Sequence, residues 1–403
     1  MSKRVFFLSP IFVLILAFNQ AVQGQIANSY PHDIGIENDS NVLFVEKFDD
    51  GLPAILSRYD DKRNAAGMSI DADVPPGSLD PNSINMTSTQ GGISGGHLFK
   101  RFTPGFDSIV YLRYYVKYPS ISQNYFHHES VWFGGYNPST AWPNPQAGTC
   151  GLSDSRLSIA YEPVHQGMNP PGYDSYLYWG DMQSWNGGGS CYGNDMVNGS
   201  PTEQYVAFDQ WTCVEVMIKL NNPVTAYNGE LRIWQDGVEV GYWGQGFPNG
   251  HWNVDSWINN PNDPPFPGFR WRTNDSLNIN WIWIEFYHDD PNAPSSYIKF
   301  DHLVMAKEYI GPISVGTGLG DNVNDSDNDS VAVFPVPSTG VFNFERCLSQ
   351  IESISVYTMT GHFILSTNER KVDLSLFPNG IYEYRIQCMG GKLLHGLISK
   401  TGL

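Results

Sequence analysis

The chain has 403 residues, and 41 acidic against 23 basic residues give it a formal net charge of −18. This balance argues against nucleic-acid binding and against a polybasic membrane-binding surface, because both need clustered positive charge. Only 16% of the residues are charged, whereas 14% are aromatic and 40 are glycines. That mixture is typical of β-sandwiches with long aromatic loops and not of helical proteins.

The N-terminus has the features of a cleaved export signal. Lys3 and Arg4 precede an apolar run, residues 5–18, that is too short to span a bilayer comfortably. Val22 and Gly24 then fit the small-residue positions of a cleavage site after Gly24. We therefore predict a signal peptide at residues 1–24, with an uncleaved anchor as the alternative. No later segment is long and apolar enough to be an integral membrane segment.

From about residue 40 to residue 312, the sequence shows almost no helical periodicity. Instead, alternating runs are separated by turn sequences such as Asn228-Gly229 and Asp236-Gly237. The runs are 41–48, 109–117, 153–161, 175–179, 211–220, 229–234, 280–287 and 297–305. Eight or more strands over about 270 residues predict an all-β domain, a two-sheet jelly roll, for residues 25–312.

Alternation assigns the side chains of each strand to two faces. In the run 109–117, Leu112, Tyr114 and Val116 are predicted to face the core. The side chains predicted to point the other way, here and in later strands, are Arg113, Tyr115, Lys117, Arg156, Ser158, Tyr176, Tyr178, Trp281, Trp283, Glu285 and Tyr287. So many aromatic rings on a sheet face are typical of a surface that stacks sugar rings. The alternative is that long loops cover the face and the rings pack beneath them.

The chain has five cysteines, which an exported protein can oxidise. Cys150 and Cys191 lie in Gly/Ser-rich loops and could pair with each other, as could Cys347 with Cys388. Cys213 lies in a strand pattern and is expected to be a buried thiol. The odd count and the absence of a CxxC motif argue against a zinc site.

Residues 313–330 are predicted to be a linker between two domains. The stretch 316–330 reads GTGLGDNVNDSDNDS and has no periodic apolar residues. We predict no cofactor. A structural calcium ion on the clustered Asp side chains is the open alternative, although their spacing does not match an EF-hand loop.

After the linker, short alternating strands separated by turn sequences predict a small antiparallel β-domain at residues 331–403. Its ordered motifs are Phe334-Pro335-Val336-Pro337-Ser338-Thr339-Gly340, Ile354-Ser355-Val356-Tyr357, Thr360-Gly361 and Leu376-Phe377-Pro378-Asn379-Gly380-Ile381-Tyr382. These motifs resemble the C-terminal sorting domain of the type IX secretion system of Bacteroidetes; only Val336 departs, where the family usually has Asn.

This resemblance implies a domain that directs the protein through the outer membrane of a Gram-negative bacterium and is commonly removed afterwards. The implied partner is the type IX secretion machinery, and the implied location is outside the cell or on its surface. An ordinary immunoglobulin-like module is the alternative.

A second set of motifs lies in the central domain. They are Phe133-Gly134-Gly135-Tyr136-Asn137-Pro138, Gly151-Leu152-Ser153-Asp154-Ser155-Arg156-Leu157, Tyr176-Leu177-Tyr178, Trp211-Thr212-Cys213-Val214-Glu215-Val216, Lys219-Leu220-Asn221, Asn228-Gly229-Glu230-Leu231-Arg232 and Trp234-Gln235-Asp236-Gly237. In order and spacing they resemble the family-14 polysaccharide lyases and their alginate- and glucuronan-lyase relatives, which share a concanavalin-like jelly roll. The resemblance covers most of residues 42–310. Its later motifs recur in many lectin-like sandwiches, and the Arg and Tyr-x-Tyr strands are the part that points to lyases.

The resemblance implies β-elimination on a uronic acid. This reaction needs a group that neutralises the C5 carboxylate, a base for the C5 proton and an acid for the leaving oxygen. Carried over from the family, Arg156 neutralises the carboxylate, for which a guanidinium is suited. Tyr176 and Tyr178 match the base and the acid, and Ser155 or Ser158 matches a supporting serine.

One departure affects the predicted chemistry. The family has a functional lysine where this chain has Tyr136. Lys117, Arg113, His127 or His128 could restore the positive charge, or the site has lost elimination activity or uses another substrate. Because neighbouring residues on a strand point to opposite faces, we expect at most one of the two histidines to face the site.

The predicted partner is a polysaccharide. The residues predicted to bind it are Arg113, Tyr115, Lys117, Tyr136, Ser158, Trp281, Trp283 and Glu285. A uronate-specific lyase is the first choice. The first alternative is a retaining glycoside hydrolase, which needs two carboxylates about 5–5.5 Å apart; its nearest candidates, Glu285 and Asp289, lack the intervening acid of such sites. The second is a non-catalytic lectin.

Overall fold

The computed structural model describes most of the chain. The described residues are 25–92, 94–122, 126–140, 147–150, 153–164, 170–185, 187–196, 204–288, 290–315, 332–334, 340–345, 351–358, 363–388 and 393–400. The predicted signal peptide, the Asp-rich part of the linker, Asp289, and the side chains of Cys347 and Cys388 lie outside this description. The predictions made for them stay predictions.

The central domain is built almost wholly from strands. Strands β1 to β16 are Val42–Glu46, Asp61–Arg63, Met68–Asp71, Ser83–Ser88, Ser94–Phe106, Ile109–Lys117, His128–Tyr136, Arg156–Val164, Gly172–Tyr178, Trp211–Lys219, Glu230–Gln235, Val238–Trp243, Gly250–Asn253, Ser256–Asn259, Ile279–Tyr287 and Ser296–Ala306. Helix α1 is Leu52–Ser57, and 3-10 turns lie at Ile26–Ser29, Pro31–Asp33, Ile36–Asn38, Ala65–Gly67, Ser120–Ser122 and Ser153–Ser155. Each of the eight predicted runs overlaps a strand.

Two large antiparallel sheets form this domain. Sheet 1 has the order β12-β11-β10-β6-β16-β4-β3, and β1 pairs with the second half of β16. Sheet 2 has the order β2-β5-β15-β7-β8-β9, and β13 and β14 form a separate hairpin. Strands that are far apart in sequence lie side by side, as in Greek-key connections. The predicted all-β class and two-sheet jelly-roll architecture are confirmed.

The main hydrophobic core lies between the two sheets. It contains the alternate apolar side chains that the sequence predicts, among them Leu112, Tyr114, Val116, Leu157, Ile159, Leu177, Ile282, Ile284 and Phe286. Each buried side chain of this size stabilises the fold by about 1.5–3 kcal/mol. Since successive side chains in a strand alternate, the intervening residues of sheet 2 point away from this core. They form the outer face of sheet 2.

Strand β5, with 13 residues, has no counterpart among the predicted runs. Gly95, Gly96 and Pro104 interrupt its alternation and read as turn residues in the sequence. A Cβ at Gly95 would lie 1.8 Å from the ring of Phe286 on the neighbouring strand β15, and Gly96 has a φ of +120°. These glycines therefore serve close packing within a strand, which only the sheet pairing reveals.

The outer face of sheet 1 is covered by the two ends of the central domain. Residues 25–40 and 309–313 pack over it through a second apolar cluster that contains Ile26, Ile36 and Ile310. Backbone hydrogen bonds tie these ends to each other, from Ile26 N to the Tyr309 carbonyl (3.1 Å) and from Ala27 N to the Ile310 carbonyl (3.0 Å). Arg113 and Glu215 on this face are therefore buried under protein.

The C-terminal β-domain has its own core. Its strands β17 to β23 are Ala332–Phe334, Val341–Glu345, Ile351–Thr358, Phe363–Thr367, Lys371–Asp373, Gly380–Cys388 and Leu393–Lys400. They form a three-stranded sheet, β17-β18-β21, and a four-stranded sheet, β20-β19-β22-β23. Buried residues such as Phe344, Val356 and Tyr384 fill the core. This is a small β-sandwich, as predicted.

Candidate functional site

The outer face of sheet 2 brings together residues from five neighbouring strands, β5, β15, β7, β8 and β9. Antiparallel register places Arg156 of β8 opposite Tyr136 of β7, and Ser158 of β8 opposite Tyr178 of β9. On the other side of β7, Trp281 of β15 pairs with Gly134. A separate cluster of buried rings forms on this face; it contains Phe99, Trp132, Tyr136, Tyr178, Trp281 and Trp283, with Tyr176 packed against it. We call this set of side chains, together with Arg156 and Ser158, the aromatic face.

Arg156 lies at the centre of the described contacts on the aromatic face. Its guanidinium carbon is 4.0 Å from the ring centroid of Tyr178 and 5.9 Å from that of Tyr136. Its Nε donates a hydrogen bond to Ser158 Oγ (3.1 Å). Ser155 instead precedes β8 and accepts a hydrogen bond from Asn137 N through its carbonyl (3.0 Å). The guanidinium plane is thus fixed by packing as well as by hydrogen bonding.

Tyr176 and Tyr178 form a hydroxyl pair beside Arg156, with their oxygens 3.2 Å apart. Burial raises the pKa of both hydroxyls. For Tyr178, the hydrogen bond with Tyr176 and the charge of Arg156 lower the pKa in opposition to burial. For Tyr176, the neighbouring Tyr178 raises the pKa further. The positive charge of Arg156 thus favours loss of the proton at Tyr178, although the pKa of both hydroxyls stays above its ordinary value.

Tyr136, which stands where the lyase pattern has a lysine, lies within the aromatic face. Its ring stacks on Trp281, with centroids 5.3 Å apart and planes 23° apart. Burial raises the pKa of its hydroxyl to about 12, although Arg156 acts in the opposite direction. Tyr136 is therefore neutral near pH 7 and does not replace a lysine charge.

His128 adds a polar group to the aromatic face. Its Nδ1 is 2.8 Å from Glu162 Oε1, and its ring centroid is 4.9 Å from that of Tyr176. The expectation that the two histidines point apart is wrong: the ring of His127 is 4.1 Å from that of His128, and both rings approach Tyr287. His127 precedes the first residue of β7, and strand alternation does not apply there.

Acidic side chains lie beyond the hydroxyl pair. Glu162 follows Ser158 and Ala160 on the outer side of β8, and Glu285 lies two strands away on β15. Burial raises the pKa of both carboxyls, and for Glu285 the proximity of Glu162 raises it further. Asp174 is opposite Glu162 on β9, and burial and Asp195 raise its pKa. Glu162 could have been identified from the sequence by continuing the alternation along β8 from Arg156, in steps of two residues.

Three predicted binding residues lie elsewhere. Arg113, Tyr115 and Lys117 belong to β6, which is in sheet 1, and the prediction that they share a face with Arg156 is wrong. Alternation identifies the side of a residue's own strand, but it does not identify the sheet to which that strand belongs.

Arg113 and Tyr115 bind the ends of the central domain to sheet 1, and Lys117 pairs with a residue of another loop. Arg113 is fully buried and pairs with Asp33, and its Nη1 also donates to the Gly311 carbonyl (3.1 Å). Tyr115 OH accepts a hydrogen bond from Ile313 N (2.8 Å). Lys117 Nζ lies 2.8 Å from Asp73 Oδ2. Arg113 and Tyr115 are buried beneath the ends of the central domain, whereas Lys117 stays partly exposed.

The loops that flank the aromatic face are joined covalently. The predicted disulfide Cys150–Cys191 is present, and Cys213 is a buried free thiol as predicted. The same loop brings Gly193 against the ring of Tyr176, where a Cβ would lie 2.5 Å from the ring carbons. Glycine is therefore required at this position for the ring of Tyr176 to keep its place.

The described residues include no group of three or more His, Cys, Asp or Glu side chains arranged to hold a metal ion. Within the same residues, no helix has the length and apolar character needed to cross a membrane.

Comparison with known families identifies the C-terminal domain. Residues 332–400 match the family model of the secretion system C-terminal sorting domain. These residues are a sorting domain. The resemblance to type IX sorting domains predicted from the turn motifs is confirmed, and the sorting domain marks the protein for secretion to the outside of the cell or its surface.

The structure is similar to several solved alginate lyases. For alginate lyase Aly36B the identity is 16%, the match covers 67% of this chain and 98% of that chain, and the TM-score is 0.44. For the PL-14 alginate lyase of Aplysia kurodai these values are 12%, 66%, 100% and 0.44. For alginate lyase vAL-1 from Chlorella virus they are 15%, 66%, 100% and 0.43. No curated protein sequence matches the chain. At such identities and TM-scores, the similarity concerns the fold and not the chemistry.

Proposed function

We propose that the central domain is a secreted lyase that cleaves uronic-acid-containing polysaccharide by β-elimination. One observation carries the proposal: a guanidinium and a close hydroxyl pair, Arg156 with Tyr176 and Tyr178, share one aromatic sheet face. Aromatic rings bind sugars by stacking, and the export signal of the sorting domain takes the protein to where polysaccharides occur.

The geometry supports a role for each group. The guanidinium of Arg156 pairs with the C5 carboxylate of the sugar and stabilises the charge that develops when the C5 proton leaves. Tyr178 is assigned the role of the base, because Arg156 and the hydrogen bond with Tyr176 lower the pKa of its hydroxyl in opposition to burial, which raises it. Tyr176 keeps its proton and donates it to the leaving O4. The C4–O4 bond breaks and a C4–C5 double bond forms.

The test is direct. The protein, without its signal peptide, is incubated with alginate, glucuronan and uronate-containing heteropolymers, and the ultraviolet absorbance of the C4–C5 double bond is followed. Absorbance is expected to rise with at least one polymer. Polysaccharide binding with no rise on any uronate polymer would remove the lyase proposal and leave a lectin.

A glycoside hydrolase is a second candidate, supported by Glu162 and Glu285. Their strands are two positions apart, so their backbones are about 9.5 Å apart across the face. Inverting hydrolases use a carboxyl pair about 6.5–9.5 Å apart, with one protonated member. New reducing ends without the double-bond absorbance, lost in Glu285→Gln, would favour this candidate over the lyase.

A further inference from the structure

We infer that the polysaccharide carries its uronic acid residues singly, separated by neutral sugars, and is not a polymer with a carboxylate on every residue. This inference rests on the proposed function and names its substrate class. It follows from how few positive charges the aromatic face and its surrounding loops contain.

The first step is a property of the sequence. Residues 118–218 contain β7, β8, β9 and the loops that connect them, and within this stretch Arg156 is the only Lys or Arg, against nine acidic residues. The count includes the loops outside the described residues. Most of the aromatic face is therefore built from a stretch of chain that supplies one cation.

The second step concerns the cations on the opposite side of the face. Arg101 of β5 pairs with Trp281 in register and shares its side of the sheet. Arg101 and Arg156 lie three strands apart, which corresponds to about 14 Å. Trp281 of β15 and Gly134 of β7 occupy the strands between them, and neither carries a charge. Two carboxylates that bind these cations must be separated by more than one sugar ring.

The third step concerns the remaining charges near the face. Arg63 of β2 is in register with His97 of β5, which is itself in register with Glu285 of β15. Arg270 is paired with Asp181, whose Oδ1 lies 2.7 Å from its Nη2. His128 is paired with Glu162. A second sugar carboxylate beside Arg156 would thus meet cations that already have acidic neighbours, and like charges brought together oppose binding.

The fourth step shows that the same surface suits neutral sugars. Trp132 and Trp281 lie on the aromatic face, and their buried indole N–H groups lack a hydrogen-bond partner among the described residues. Such donors match the hydroxyl and ring oxygens of an uncharged sugar.

The experiment compares polymers that differ in uronate spacing. Glucuronan and alginate carry a carboxylate on every residue, whereas heparosan and hyaluronan alternate glucuronate with a neutral amino sugar. We expect kcat/KM for double-bond formation to be at least about tenfold higher on an alternating polymer, because the homopolymers bring unmatched charges into the site. Equal or higher kcat/KM on glucuronan or alginate overturns the inference and leaves the lyase proposal standing.

Polysaccharide binding distinguishes failure of the lyase proposal from failure of the inference about uronate spacing. Affinity electrophoresis of Tyr176→Phe, which retains the ring, is run in gels containing each polymer. If no polymer yields a double bond, the lyase proposal fails, and the binding ratio alone decides the inference: stronger retardation by alternating polymers supports it, and equal or stronger retardation by homopolymers overturns it.

A charge variant adds an independent readout of the same inference. Removing one acidic group in Glu285→Gln is expected to improve glucuronan affinity about threefold relative to heparosan. The matched control Glu239→Gln changes a carboxylate that pairs with Arg232 in sheet 1, and it should leave the ratio unchanged. An unchanged ratio in both variants counts against the inference.

Discussion

The two sheets of the central domain each hold a buried arginine on the outer face, and the two arginines have opposite surroundings. Arg113 on sheet 1 is closed in by Asp33 and by the carbonyls of Gly311 and His302. Arg156 on sheet 2 lies against the rings of Tyr136 and Tyr178. The first arginine fastens the chain ends to a sheet, and the second is placed among groups that suit a sugar ligand.

This difference shows that a residue type and its alternation do not decide a role. Both arginines follow the same pattern, with apolar neighbours directed to the core. Their surroundings differ because residues 25–40 and 309–313 return over sheet 1 and supply Asp33, whereas Arg156 lies among the buried rings of sheet 2. What packs against the guanidinium determines whether it meets an acidic partner or aromatic rings.

The largest expected effect tests the role of Arg156. Arg156→Ala is expected to reduce turnover on the preferred uronate polymer about a thousandfold, because the developing charge at the sugar carboxylate loses its partner. Initial rates of double-bond formation measure it. Arg232→Ala, which changes a partly exposed arginine paired with Glu239, is the control and should keep normal rates. Near-normal turnover in Arg156→Ala would remove this residue from the site.

At Arg113, we expect a substitution to lower the free energy of unfolding. Arg113→Met leaves the Asp33 carboxylate buried without its cation, and loss of one partner of a buried pair costs about 3–5 kcal/mol. Urea unfolding measures the free energy. Arg232→Met should change it by less than about 1 kcal/mol, since its pair is partly exposed. A stability loss of that small size in Arg113→Met would show that Asp33 is solvated.

The cover of sheet 1 should also respond to pH through Glu215. This buried carboxylate accepts hydrogen bonds from Ile310 N and Gly311 N, both 2.8 Å, and burial raises its pKa to about 7. The folded protein therefore binds this proton more tightly than the unfolded chain does. The resulting stability is fully present below the unfolded pKa, about 4.3, and is lost as the pH rises through the folded value.

The measurement compares wild type with Glu215→Gln. The wild-type advantage in unfolding free energy is expected to fall by about 3 kcal/mol between pH values near 4 and near 8. Chemical unfolding at a series of pH values gives this difference directly. A difference that does not change with pH would mean that Glu215 titrates normally.

The smallest expected effect is at Gly193, beside the aromatic face. A Cβ there would lie 2.5 Å from the Tyr176 ring, so Gly193→Ala is expected to displace the ring. A misplaced acid should lower kcat about tenfold to a hundredfold. The thermal midpoint serves as the control and should shift by only a few degrees. Unchanged kcat would indicate that the position of Tyr176 is not important for turnover.

Much of the fold follows from local pattern. The eight runs overlap strands because alternating apolar residues can be buried only on a pleated sheet. Strand β5 could not be predicted from the sequence, because Gly95 and Gly96 are typical turn residues. Their role in close packing against Phe286 is visible only in the structure. Of the candidate site, Arg156, Tyr176 and Tyr178 were predicted from the resemblance of their motifs to lyases, and the structure places them on the paired strands β8 and β9.

The sequence by itself determined the two-sheet architecture, the side of each strand on which a residue lies and the sorting domain, because these depend on neighbours along the chain or on ordered motifs. Only the tertiary structure decided that Arg113 and Arg156 belong to different sheets and that one of them is neutralised by Asp33. Sheet pairing and coverage join residues far apart in sequence, and alternation carries no information about such partners.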